Sequence, residues 1–352
     1  MPAHIAEFGA QHVIEIPDRN KIAKRIEYLC SLPLRALKKL LRIIGVSAGF
    51  YSGVDKTFYR YYANEIEDLY KKIGFEAVFV EYVFHSAALQ IFPGKVLKIL
   101  DTHDAFADRH KAFREKGVPN GYWLSLRPKD EARGLRRADV VIACQPEEAQ
   151  RFRRLLGSQA PIPEFVVVNH LLEAPSDPIS YEIDERALFL GSDNTANTHS
   201  MRMFMERVLP LVVREMPGFR LHLAGTICRN IEDHPSIVKL GQVGSLPAAF
   251  SEAPLSVNPM LMGTGINVKL LDSMAFGVAT VTTKTGVRGL PEEYRHGTII
   301  VDDDDDTSFA AAVIRLARDE QLRRRMGLAA KEDALSWNAE QIKALHRLLI
   351  AK

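Results

Sequence analysis

The sequence predicts an α/β fold of two domains, each built on a parallel sheet covered on both faces. Three observations carry the prediction. Short apolar runs rich in Val and Ile alternate with longer segments of helical period. The chain has 352 residues, 47% of them hydrophobic, which is more than one ordinary core takes up. The apolar rhythm breaks at LLEAPSDPISYEID, Leu171–Asp184, where prolines, serines and acids intervene.

The expected strands of the first half are His12–Pro17, Ala77–Phe84, Lys95–Thr102, Ala138–Ala143 and Phe165–Asn169. Those of the second are Ala187–Gly191, Arg220–Ala224, Leu255–Asn258, Ala279–Thr282 and Thr298–Val301. Helices fit between them. His199–Glu215 puts Met203, Phe204, Val208, Leu211 and Val212 on one stripe and stops at Pro217-Gly218. The domains are therefore expected at 1–170 and 171–337. A last helix, Asn338–Ile350, has an apolar face of Ile342, Leu345, Leu348 and Leu349, open to packing on either half.

Composition narrows the function. With 46 basic and 44 acidic residues the net charge is +2, so no whole-chain nucleic-acid footprint is expected. Cys30, Cys144 and Cys228 are odd in number and widely spaced, which fits neither a disulfide framework nor a zinc site. No uninterrupted apolar run reaches the roughly 18 residues of a membrane span, and the first residues lack a signal peptide's charged start and apolar run. A cytoplasmic chain is expected. Lys21–Arg42 carries seven basic residues against Glu27, and two readings stay open for segment 21–44: contact with an anionic membrane surface, peripheral at its inner face, or packing on the first sheet. The acidic run VDDDDDTSF, Val301–Phe309, lacks the glycine of a calcium loop and fits capping of the next helix.

The segment that points to chemistry is MGTGINVKLLDSMAFGVATVTT, Met262–Thr283. A strand ends near Pro259, Gly263-Thr264-Gly265 turn the chain, and Ile266–Phe276 has a helical stripe. Strand, glycine turn and helix start place backbone N–H groups and the positive end of a helix dipole at the carboxyl edge of a parallel sheet, where a phosphate binds well. The same residues also make a plain tight turn followed by a solvated Asp272, and local physics alone does not choose.

The longer run PMLMGTGINVKLLDSMAFGVATVTTKTGVRGL, Pro259–Leu290, resembles the nucleotide-binding segment of the group-1 glycosyltransferases, also called glycosyltransferase family 4. Ala187–Gly225, Leu240–Pro259, Ile99–Phe113 and Arg136–Phe152 resemble further segments of that family in the same order. The resemblance implies a GT-B architecture, two Rossmann-like domains facing across a cleft, with the donor on the C-terminal one and the acceptor on the N-terminal one. The family opens with a βα unit that MPAHIAEFGAQHVIEIP does not match, so that unit is expected to be missing.

For the site, the resemblance implies donor contacts at Gly191, Ser192, Gly263, Thr264, Gly265, Ile266, Lys269, Asp272 and Arg288. The family's two acids, eight residues apart, fall at Thr264 and Asp272; the first is absent here, and the second implies a carboxylate accepting ribose hydroxyls. The family's cationic pair after the first C-terminal strand is replaced in GSDNTANT by Ser192 and Thr198. Lys269 and Arg288 are then the cations to offset a leaving diphosphate; each also has a reading as an ordinary solvated side chain. On the N-terminal side, Asp108, Arg109 and His110 on the helix after Asp104 either reach the acceptor or form a solvated face. THDAFADRH puts His103 where relatives carry a cleft histidine near the reacting sugar, so the resemblance implies that His103 and Asp104 are catalytic. Their other reading is a histidine bonded to loop carbonyls and a cap for a helix starting at Ala105. The activity so implied is transfer of a glycosyl group from a nucleotide diphosphate sugar, a UDP-sugar foremost, to a glycan or lipid-linked acceptor, with retention and without metal or other cofactor, in polysaccharide assembly. The rival is a nucleotide-sugar binder or assembly partner that has lost catalysis. A GT-B epimerase is a third reading and would need cleft acids that the sequence does not place; a Rossmann dehydrogenase is the least expected, because no GxGxxG follows any strand.

Overall fold

Two all-parallel sheets, one in each half, organise the chain in the computed structural model. The structure describes residues 32–34, 36–42, 46–55, 60–115, 117, 122–173, 175, 185–263 and 265–350. The expected strand His12–Pro17, the basic segment before residue 32 and the site residue Thr264 lie outside the described residues.

In the first half, α1 (Arg60–Ile73), β1 (Ala77–Glu81), β2 (Leu97–Asp101), α2 (Arg109–Glu115), α3 (Pro128–Leu135), β3 (Val140–Ala143), α4 (Pro146–Leu156) and β4 (Glu164–Val167) follow one another. The strands lie side by side in chain order, β1-β2-β3-β4. β1 stops three residues before its expected end because Tyr82 takes a left-handed backbone, φ 63°, and a 3₁₀ segment Val83–Ile91 follows. Leu100, Val141 and Ala143 pack with Leu89, Phe106, Leu135 and Phe152 on one face of the sheet, and Ile99, Val140 and Ile142 pack on the other.

The second half runs β5 (Arg186–Leu190), α5 (Thr195–Met203), α6 (Leu209–Glu215), β6 (Arg220–Ala224), β7 (Ile237–Gly241), α7 (Leu246–Phe250), β8 (Leu255–Asn258), α8 (Val268–Ala275), β9 (Ala279–Thr283), β10 (Thr298–Val301), α9 (Asp306–Arg318) and α10 (Glu320–Ile350). Its sheet has the order β10-β9-β8-β5-β6-β7. Phe189, Phe204, Phe219, Leu221 and Val257 fill one face. Leu188, Phe250, Leu271 and Trp337 fill the other. Burial of each such side chain stabilises by roughly 1.5–3 kcal/mol.

Three expectations are corrected here. The helix set at His199–Glu215 starts at Thr195, where the Asn194 side chain accepts from the Asn197 N–H, and it is interrupted by a π-helical stretch, Phe204–Val208. Pro210 is the physical reason: it has no N–H to give to the preceding turn and its ring displaces that turn's carbonyl. Strand β7 is an additional one, overlooked because an edge strand with the sequence IVKLG is half-exposed and lacks an apolar run. The last helix does not begin at Asn338; it is continuous from Glu320.

That last helix links the halves. Ala330, Ala334 and Trp337 sit in the core of the second domain, whereas Leu348, with Ala344 and Leu345, packs on Leu97, Ile99 and Val140 of the first sheet. Hydrogen bonds hold the connector against it, among them one from Lys331 Nζ to the Pro175 carbonyl at 2.8 Å. Trp337 Nε1 donates to the His170 carbonyl at 2.9 Å, Asn338 and Leu172 exchange two bonds of 2.8 Å, and the Asn169 N–H donates to Gln341 Oε1 at 2.8 Å.

Candidate functional site

Strand order in the second sheet reverses between β5 and β8. The connection from β5 leads to β6 on one side, while β8 leads to β9 on the other, so a crevice opens at their carboxyl ends. The crevice is a cavity of about 600 Å³. Gly191 and Ser192 after β5, Gly225 after β6 and Met260, Met262 and Gly263 after β8 line it, with Ile266, Asn267, Lys269 and Asp272 at the start of α8 and Arg288 from the loop after β9. The glycines are required by contact: a Cβ on Gly225, φ +101°, would stand 2.3 Å from the Gly191 carbonyl oxygen. Helix α8 starts at Val268, two residues later than expected, and no side chain caps it, because Asn267 Nδ2 donates to Asn258 Oδ1 at 2.9 Å instead.

Lys269 is not a solvated helix lysine. Its Nζ donates to Asn197 Oδ1 at 2.9 Å and lies 5.4 Å from the centre of the Phe189 ring. Asn197, only 4% exposed, is fixed in turn by donating from Nδ2 to the Ser192 carbonyl at 2.9 Å. Burial, with the neighbouring Arg288, lowers the Lys269 ammonium to about 7, against the pull of Asp272. Asp272 lies almost one turn further along the helix, half-buried, and receives no hydrogen bond on its carboxylate from the described residues. Desolvation pushes it up to about 6, opposed by Lys269. It is a carboxylate on a cavity wall with its acceptor capacity unspent.

Arg288 crosses the glycine turn. A Cβ on Gly263, φ +135°, would come within 2.4 Å of Arg288 Nη2, so a side chain there would displace the guanidinium. Arg288 Nη1 donates to the Thr285 carbonyl at 2.7 Å. Thr285 is held by Asp303, which accepts from its N–H at 2.9 Å and from its hydroxyl at 2.5 Å. The acidic run thus acts structurally: Asp303 braces the loop carrying Arg288, and Asp305 caps α9 by accepting from the Ser308 N–H.

The first domain closes the cavity with Arg109, Phe113 and Trp123. The expected helix from Ala105 is corrected: buried Glu131 accepts the N–H groups of Phe106 and Ala107 at 2.7 and 2.8 Å, which holds this backbone out of a helix until Arg109. Asp104 accepts from the Ala105 N–H at 2.8 Å and pairs with Arg109 at 2.8 Å. His103, φ 54°, turns its ring onto Tyr82, with centroids 4.5 Å apart, and sets Nε2 at 3.8 Å from both Glu81 and Asp101. Its carbonyl, not its imidazole, faces the glycine turn, 4.0 Å from where a Cβ on Gly265 would be. Neither the His103 nor the Asp104 side chain belongs to the cavity wall.

Of the residues expected at the donor site, Gly191, Ser192, Gly263, Ile266, Lys269, Asp272 and Arg288 therefore meet around one cavity, and Gly265 adjoins it. Thr198 does not line it; its neighbour Asn197 does. The sequence names Arg109, with Asp108 and His110, as a side chain that either reaches the acceptor or is solvated, whereas it does not single out Trp123 and Asn197. Of these two, only Asn197 had a local signal, since Asn194 sits three residues ahead as a helix cap.

A family model described as glycosyl transferases group 1 matches residues 184–319. A protein of Klebsiella pneumoniae described as an uncharacterized 44.6 kDa protein in the cps region is 24% identical over 135 residues, 35% of this chain and 34% of that one. Among solved structures, TarM superposes with a TM-score of 0.61 at 11% identity, over 82% of this chain and 57% of TarM. Sucrose-phosphate synthase of Thermosynechococcus elongatus gives 0.58 at 17% identity, over 82% and 77%. HepE of Anabaena, solved in complex with UDP and glucose, gives 0.54 at 13% identity, over 81% and 80%. The chain thus spans about a third of its curated relative and little more than half of TarM, and at these identities the structural likeness establishes the fold. Residues 184–319 match the group-1 glycosyltransferase domain, within a chain of GT-B fold.

Proposed function

We propose that this chain transfers a glycosyl group from a nucleotide diphosphate sugar, UDP-sugar foremost, to a glycan or lipid-linked acceptor in polysaccharide assembly. The observation that carries the proposal is the charge layout of one cavity. Asp272, an acceptor without a partner among the described residues, stands at the helix; Lys269, Arg288 and Arg109 converge beyond it. A ribose supplies two hydroxyl donors for the first, and a diphosphate supplies the anion for the others. In the reaction the bond from the anomeric carbon to the β-phosphate oxygen breaks, the acceptor oxygen bonds to that carbon on the face the diphosphate leaves, and the acceptor's proton passes to the departing phosphate. Retention follows from that geometry of approach. Three cations in the wall can offset the developing charge, so transfer is expected to survive chelation by EDTA.

In this reading Asp104 positions Arg109, and the His103 carbonyl lies beside the glycine turn. The segment 21–44 retains its proposed lipid contact: Leu37 and Leu40 are exposed beside Lys38 and Lys39, and flotation with anionic against neutral vesicles tests it. The test of the main reading is calorimetry and product analysis with UDP-, GDP- and ADP-sugars; absence of binding and turnover with all of them removes it. One feature supports the rival reading, a binder without catalysis: Thr264 stands where the resemblance places an acid. Tight nucleotide binding without transfer to any acceptor in an extract would select that rival.

A further inference from the structure

At the N-terminal lip of the cavity an indole stands open. Trp123 is 63% exposed, more than any other large hydrophobic side chain among the described residues, yet it forms part of the cavity wall. It is nevertheless fixed. Its ring lies nearly perpendicular to those of Tyr82, Phe84 and Phe106, at centroid distances of 5.6, 5.3 and 6.0 Å, and Phe84 and Phe106 are themselves buried. Three edge-to-face contacts give an aromatic ring a preferred orientation. What they leave uncovered is a rigid apolar platform beside the place where the donor sugar would lie.

Its surroundings are polar rather than greasy. Arg109, paired with Asp104 behind it at 2.8 Å, shares the same wall. Ser192, Asn194, Asn197 and Gln242 of the second domain line the same cavity. A flat apolar surface rimmed by donors and acceptors matches a pyranose, which offers C–H groups on one face and hydroxyls around its edge. An acyl chain would leave the charges desolvated and unmatched. We propose that the acceptor is itself a carbohydrate whose pyranose ring stacks on Trp123, which makes Trp123 a specificity-determining residue for the acceptor.

The inference rests on the glycosyltransferase reading, and the two can fail separately. The chain has two tryptophans, and Trp337 is only 4% exposed, so fluorescence that iodide can quench belongs to Trp123. The full chain, saturated with UDP, is titrated with methyl glucoside, methyl galactoside, methyl N-acetylglucosaminide, maltose and cellobiose while iodide quenching is followed. At least one pyranoside is expected to protect the fluorescence. With that sugar as acceptor, Trp123→Ala should raise the acceptor KM about tenfold and Trp123→Phe about threefold, with the donor KM within about twofold of wild type. Protection by none of the sugars, or an acceptor KM in Trp123→Ala within about twofold of wild type, overturns the inference. If UDP itself fails to bind the wild-type chain in calorimetry, the functional reading falls first.

Discussion

The two walls of the cavity were written into the chain in different ways. The C-terminal wall is made of consecutive pieces of βα units: a glycine after β5, a glycine turn after β8, and the first turns of α8. Each piece has a local sequence cause, so the residues expected there, Lys269, Asp272 and Arg288 among them, meet at one place. The N-terminal wall has no such grammar. Arg109 is set by a helix start that buried Glu131 delays, and Trp123 by three rings from separate segments. The residues expected there from their position, His103 and Asp104, turn to other partners. A phosphate-type site is local backbone geometry, while an acceptor-type wall is a product of tertiary packing.

The contrast can be broken most forcefully at the cations. Arg288→Gln and Lys269→Met should each lower kcat by roughly 100- to 1000-fold, the range for removal of one preorganised charge from a transition state. Gly263→Ala should approach the loss in Arg288→Gln, since the added methyl would occupy the space 2.4 Å from Arg288 Nη2; steady-state kinetics compares the three. A Gly263→Ala protein with wild-type kcat would show that the guanidinium does not act over the glycine turn.

Next in size is the ribose contact. Asp272→Asn should weaken UDP binding by about 10- to 30-fold in calorimetry, the loss of a charge-assisted pair of hydrogen bonds. The pH profile sharpens the same point. In the empty cavity Asp272 titrates at about 6 and Lys269 at about 7. Below the first value Asp272 is protonated and loses acceptor capacity, so affinity falls as the solution is acidified. Above the second Lys269 is neutral and must take up a proton when the diphosphate arrives, so affinity falls again as pH rises. UDP affinity should peak between the two, with a binding enthalpy that depends on buffer ionisation. Asp272→Asn should flatten the acid limb and move the alkaline limb to lower pH, because the Lys269 ammonium loses the pull of that carboxylate.

Smaller effects mark the junction of the walls. Gly265 has φ +70° and faces the His103 carbonyl, so Gly265→Ala should cost about 1 kcal/mol of stability in denaturant unfolding through backbone strain. His103→Ala should change UDP affinity by less than about twofold, because the turn meets the backbone of His103 and not its ring. A loss beyond tenfold would return the imidazole to the donor site.

Most of the fold was legible, and the exceptions have physical causes. Buried parallel strands such as Ala187–Leu190 and Val140–Ala143 announce themselves as continuous apolar runs. The half-exposed edge strand β7 does not, and Pro210 reshapes the helix before it by a backbone effect that apolar periodicity cannot register. The start of α10 was hidden because Asp319, at its head, follows α9 with only one residue between the helices. In the site, identity and spacing disclosed what touches the backbone of a glycine turn. They could not disclose Asn197 as the anchor of Lys269, an interaction between residues 72 positions apart.

The account turns on whether the cavity at the β5/β8 reversal receives a nucleotide diphosphate, and a crystal structure of the chain with UDP decides it. The predicted result is an Asp272 oxygen about 3 Å from a ribose hydroxyl, with the diphosphate lying between Lys269 and Arg288. UDP bound outside this cavity, or inside it with its ribose turned away from Asp272, would contradict the account.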